Sequence, residues 1–106
     1  MPKLTKGKTK MKTIVSNLIG SNGKAIIIIH GDICILKSYE TIVAVCKYDA
    51  TSQKYIGYKT DWLRYRGWSM TTGKHIKLFF GIFGMEVDKA AYLEMPEIDR
   101  REITVE

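Results

Sequence analysis

The stretch "GWSMTTGKHIKLFF", Gly67 to Phe80, is where the hydrophobic period of this chain changes. Upstream, apolar and β-branched residues come in short runs separated by turn residues. From His75 onward Ile76, Phe79, Phe80 and Phe83 fall on one helical face. Ser69, Thr71 and Thr72 are all competent N-caps, because a short side-chain oxygen can accept from the free N–H groups of a first turn. The pattern predicts a helix from about Thr72 to about Phe83, with Gly81 and Gly84 weakening its far end.

The Gly-Lys pair inside this stretch invites comparison with a phosphate loop. That motif needs GxxxxGK[ST], so that successive backbone N–H groups wrap an anion. Here Gly73 and Lys74 are followed by His75, and Trp68 stands where the first glycine belongs, so the motif fails. What survives is a helix start with Lys74 and Lys77 one turn apart. It suits a single phosphate or sulfate, or it is a plain capped helix with two solvated lysines.

Working upstream, 13–19, 24–29, 33–37, 41–47 and 54–59 read as strands. Ser21, Asn22 and Gly23 form the first turn, and His30, Gly31 and Asp32 join the arms of a hairpin. Trp62 to Trp68 is expected to continue the sheet. Downstream, Asp88 caps a short helix through Glu94 that Pro96 stops, and the charged remainder to Glu106 is a short strand or a loose end. The fold class expected is α+β: a small antiparallel sheet of four to six strands packed against one main helix, with a short second helix. Residues 1–12 read as a flexible lysine-rich arm, 13–96 as a single domain and 97–106 as an acidic C-terminal segment.

At 106 residues the chain has room for one domain, since domains typically run to ~100–150 residues. The apolar runs are far shorter than the ~18–20 residues of a membrane span, and no signal-peptide pattern follows the lysines. A soluble intracellular protein is therefore expected, with no membrane partner. The net charge of +6 is unevenly spread. Residues 1–12 hold five lysines and no acid, whereas 86–106 hold three basic residues against seven acidic ones. A mobile basic arm of this kind either engages nucleic acid or an acidic protein surface, or simply aids solubility. Cys34 and Cys46 lack zinc-site spacing and read as buried reduced thiols, a disulfide being open only if their strands are neighbours.

The densest candidate surface is "KYIGYKTDWLRYRGW", Lys54 to Trp68, in which aromatic and basic residues alternate. Were its second half extended, Trp62, Arg64, Arg66 and Trp68 would share a face. With Tyr55, Tyr58, Lys59, Lys74 and Lys77 that face would stack bases and hold phosphates, or anchor an acidic protein. The competing reading puts the tryptophans in the core under a cover of arginines. His75 has no cysteine or carboxylate nearby in sequence, so it reads as structural, and His30 belongs to its turn. No metal site, cofactor or catalytic residue is expected, and the protein is not expected to be an enzyme.

Taken together, "SYETIVAV" (Ser38 to Val45), the helix start at Ser69, Thr71, Thr72, Lys74 and His75, and "AAYLEMP" ahead of the acidic tail resemble a pattern in small uncharacterised proteins of bacteriophages and mobile elements. That resemblance implies an accessory domain and transfers no functional residue. By analogy it suggests a non-enzymatic inhibitor of a host protein or ribonucleoprotein complex in nucleic-acid processing or defence, as anti-CRISPR proteins are. The alternative is a single-stranded DNA- or RNA-binding protein using the same basic aromatic face.

Overall fold

The computed structural model describes residues 12–64, 67–99 and 103. Five strands, β1 (Thr13–Asn17), β2 (Ala25–His30), β3 (Ile33–Ser38), β4 (Thr41–Asp49) and β5 (Lys54–Lys59), form one antiparallel sheet in sequence order. A 3-10 turn (Asp61–Arg64) leads to the main helix α1 (Met70–Ile82) and the short α2 (Lys89–Leu93). This is the expected α+β architecture. Among the described residues no helix is long and apolar enough to cross a membrane.

The turns follow from residue type. Asn22 and Gly23 take φ of 56° and 77°, a conformation that costs asparagine and glycine little. Ser69 caps α1 by accepting from the Thr72 amide at 3.0 Å, so the helix begins two residues ahead of the expected start. Its far end closes in a Schellman motif: the Gly84 N–H donates to Gly81 O, the Met85 N–H to Phe80 O, and Gly84 supplies the φ of 80°.

Four isoleucines run through β2, and the sheet is apolar on both faces. On the helix side Cys34, Leu36, Ala44 and Cys46 meet Ile76, Phe79 and Phe80. Gly57 faces the same layer, and a Cβ there would stand 2.8 Å from the Phe80 ring. A register shift after Leu36 turns both Val43 and Ala44 into this core. On the other face Ile35 and Val45 pack under Ile98 and Ile103. The segment after α2 reaches that face by pairing with the end of β5: the Lys59 N–H donates to Pro96 O and the Ile98 N–H to Lys59 O.

One element departs from expectation. Residues 62–64 and 67–68 do not continue the sheet: Asp61–Arg64 is a 3-10 turn, and residues 65–66 lie outside the described residues. Trp62 drives this local fold, because turning it inward buries an indole whose N–H finds an acceptor 2.6 Å away in the Tyr92 hydroxyl.

Candidate functional site

Three places on the molecule gather chemistry-bearing side chains. The first joins the two motif fragments that sequence alone could only set side by side. Ser38, at the end of β3, and His75, in the second turn of α1, bring Oγ and Nδ1 to 2.9 Å, and Thr72 Oγ1 lies 3.3 Å from the same serine oxygen. Both Ser38 and His75 are 2% exposed. Burial, with Lys74 adding repulsion, lowers the His75 pKa and favours the neutral imidazole. Beside them Tyr39 holds a φ of 56°, unusual for a tyrosine, with its ring 6.0 Å from the imidazole. The cluster borders a recess of about 230 Å³ shared with Thr41, Val43 and Trp62.

A serine and a histidine at this distance meet the first geometric requirement of a nucleophile and its base. The second, an orienting acid, is not among the residues that hold His75. Both bonding partners of the Ser38 hydroxyl lie on α1. The cluster therefore fastens the start of the helix to the end of β3 with satisfied buried hydrogen bonds. Ser38 was missed as a partner for His75 because 37 residues separate them. The signal that could have found it was the presence of both motif fragments in one chain.

The second place is the aromatic and basic stretch, which the structure disperses. Trp62 is 4% exposed and sealed against Tyr92, so it is not part of an outward face. Trp68 lies half-buried against Gly73 of α1, where a Cβ would come within 2.6 Å of the indole, and its ring centroids stand 6.0 Å from Trp62 and 5.7 Å from Tyr92. Among the described residues the cation over Trp68 is Lys89, at 5.8 Å. The Arg64 side chain and all of Arg66 fall outside what the structure describes. Tyr58 sits on the opposite face of the sheet, and Lys59 gives its ammonium to the Leu93 carbonyl at the end of α2. Tyr55 is exposed and stacks with Tyr48 and Phe83, its ring centroids 5.2 Å and 4.8 Å from theirs. The pattern misled because indole burial outweighed the alternation expected of a strand.

Sequence reasoning did not single out the hub of this corner. The buried Tyr92 hydroxyl donates to Val43 O at 2.6 Å and accepts from Trp62 Nε1 and from the Thr60 N–H. Burial raises its pKa, so it stays a phenol and keeps its proton for Val43.

The third place is the solvent side of α1 and its surroundings. Lys74 and Lys77 are exposed, as is Thr71. Lys77 borders a groove of about 580 Å³ between α1 and the β1–β2 hairpin, lined by Leu18, Ile19, Ile27, Leu78 and Ile82. From Lys12 to Gly31 and along all of α1 the chain carries Lys12, Lys24, Lys74 and Lys77 and no carboxylate. Exposed apolar surface thus lies beside lysines, with no acid on these two segments.

Cys34 and Cys46 are register partners across β3 and β4, both free and buried. Burial pushes their thiols up to about 11 and about 12, which keeps them protonated and unreactive at neutral pH. Among the described residues no group of histidines, cysteines and acids could hold a metal ion.

No curated protein and no solved structure matches the chain. A family model does match, over residues 3–95, which takes in the sheet, α1, α2 and the Ser38–His75 pair. The chain belongs to that family, described as a family of unknown function (DUF8033).

Proposed function

We propose that this protein acts by binding and not by catalysis: a small accessory domain that docks on an acidic macromolecular partner and blocks it. The partner class is a host nucleic-acid-processing or defence complex, which rests on the resemblance to phage proteins and on analogy with anti-CRISPR inhibitors. The observation that carries the binding reading is the third place above. Lys77 borders the groove that exposes Ile19 and Ile82, Lys74 stands one turn earlier on the same helix, and neither α1 nor the segment from Lys12 to Gly31 carries a carboxylate, a combination that steers an acidic surface in and then gives it apolar area to bury.

The alternative, single-stranded DNA or RNA held by Tyr55, Tyr58, Lys59, Arg64, Arg66 and Trp68, loses Trp62 as a stacking platform, since that indole is interior.

Expression in bacteria with an active CRISPR system, scored by plaquing of a targeted phage, tests the inhibitor reading. Relief of targeting by the wild type, abolished by Lys74→Glu with Lys77→Glu, is the expected result. Undiminished targeting across the system types tried overturns inhibition. A labelled oligonucleotide separates the two binders: a shift at ~50 mM salt that vanishes by ~200 mM favours nucleic acid.

A further inference from the structure

The five-stranded sheet is wider than the helix that covers it. Four inter-strand spacings of ~4.8 Å put the outer strands ~19 Å apart, whereas one helix with its side chains spans ~10 Å. α1 packs over β3 and β4, and α2 lies against β5. The helix-side face of β1 and β2 is left without a layer of its own. Ile14 of β1 pairs in register with Ile29 of β2, and Ser16 with Ile27, so Ile14, Ile27 and Ile29 point to that side. Leu78 and Ile82 of α1 form the wall, and Ile19, 90% exposed, stands at the rim. A second recess continues the groove past Ile29 to Phe83 and shares Ile27 and Ile82 with the first. The open trough therefore runs alongside the second half of α1, from Lys77 to Phe83.

We propose that this trough seats an acidic amphipathic helix of a partner protein, laid beside α1 as the missing second helix of the layer. The proposal rests on the binding function argued above and specifies its site. The width left beside α1 matches one helix, at the ~8–10 Å interaxial distance of packed helices. Charge selects the occupant. Lys77 lines the groove and Lys74 is exposed one turn earlier on α1, while Asp32 borders the far recess. An occupant with its carboxylates toward Lys74 and Lys77 meets both. A second copy of this chain, apposed by a two-fold axis, would bring Asp32 as the one carboxylate among the lining residues to answer Lys74 and Lys77, fewer than an acidic helix supplies. Residues 1–12, with five lysines, would likewise bring like charge to Lys77.

The test selects a random 20-residue peptide display library against the full-length chain. Enriched peptides are then measured against Ile19→Ser with Ile82→Ser, and separately against Lys74→Glu with Lys77→Glu. Ile19 and Ile82 are 90% and 57% exposed, so the first pair keeps the fold, which a thermal melt verifies. The expected result is peptides rich in Asp and Glu with apolar residues at i, i+3 or i+4, and i+7. Each variant pair should weaken them on the order of tenfold. Peptides that respond to the lysine pair but not to the isoleucine pair overturn the groove and leave the binding function standing. Indifference to both overturns the two together. No enrichment, or enrichment without the acidic helical pattern, overturns the groove. So does a wild-type dimer in sedimentation that Ile82→Ser converts to monomer, because the occupant is then a second copy.

Discussion

The two halves of the sheet are built from similar residues and end in different states. Over β3 to β5, Leu36, Ala44, Cys46, Phe79, Phe80 and Tyr92 are sealed between the sheet and two helices. Over β1 and β2, a run of isoleucines of comparable hydrophobicity stays half-buried, and Ile14, Val15 and Ile19 are exposed. Composition does not separate the halves; the coverage supplied by α1 does. Burial is therefore concentrated in one half, and the other keeps apolar surface open to solvent. The largest expected effect breaks the comparison directly. Phe80→Ala opens a cavity between Gly57, Phe79 and Met95 and should cost about 3–5 kcal/mol, enough to threaten folding. Ile82→Ala, two residues on in the same helix, should change stability by no more than about 0.5 kcal/mol. Urea denaturation of the two variants measures both. Near-equal losses would mean that the β1–β2 side is as tightly packed as the rest.

The next effect concerns how the sealed half is fastened at its polar corner. Tyr92→Phe keeps the ring in place but strips the hydroxyl that serves Val43 O and Trp62 Nε1. A buried carbonyl and a buried indole N–H are left without their partner, which should cost about 1–3 kcal/mol in the same denaturation measurement. Tryptophan fluorescence should change as well, since the Trp62 indole loses its hydrogen bond. A smaller loss, of about 1 kcal/mol, is expected of Ser69→Ala, which removes the cap from α1 and leaves the Thr72 amide unpaired. An unchanged midpoint for Ser69→Ala would mean that the Ser38–His75 contact alone fixes the helix start.

The fold was legible from sequence wherever local chemistry and burial agreed. The isoleucine run with its flanking Asn-Gly and Gly-Asp turns specified the first three strands, and the period change after Ser69 specified α1. Asp88 and Pro96 bracketed α2. Where burial overruled local pattern, the reading failed. Alternation in Trp62 to Trp68 suggested a strand, yet the energy of hiding one indole and pairing its N–H with Tyr92 bent the chain into a 3-10 turn. The candidate surface was only partly legible for a related reason. Lys74 and Lys77 were visible as helix positions, but the open trough depends on how far one helix reaches across five strands. That is a tertiary quantity which no spacing encodes. The pairing of Ser38 with His75 was hidden by sequence distance, although each end lay in a fragment already conspicuous on its own.

The smallest effect bears on the junction between the halves, where α1 is tied to the end of β3. In the folded chain the His75 pKa lies below its usual value of about 6.5, through burial first and the Lys74 charge second. Above that value both folded and unfolded chains carry a neutral imidazole, and His75 contributes no pH dependence. As pH falls below it, the unfolded chain takes up a proton that the folded chain refuses, so stability declines. The slope ends once pH drops beneath the folded pKa and both states are protonated. A protonated ring would also be a donor at Nδ1, forcing Ser38 to accept there and to turn its own proton toward Thr72. Thermal melts between pH 7.5 and 5 should thus show a falling midpoint for the wild type and a shallower fall for His75→Gln, whose amide keeps a hydrogen-bonding group near Ser38 without the titration. Identical slopes would place the pH dependence elsewhere and reduce the Ser38–His75 pair to a contact with no electrostatic consequence, leaving Ser69 as the main anchor of α1.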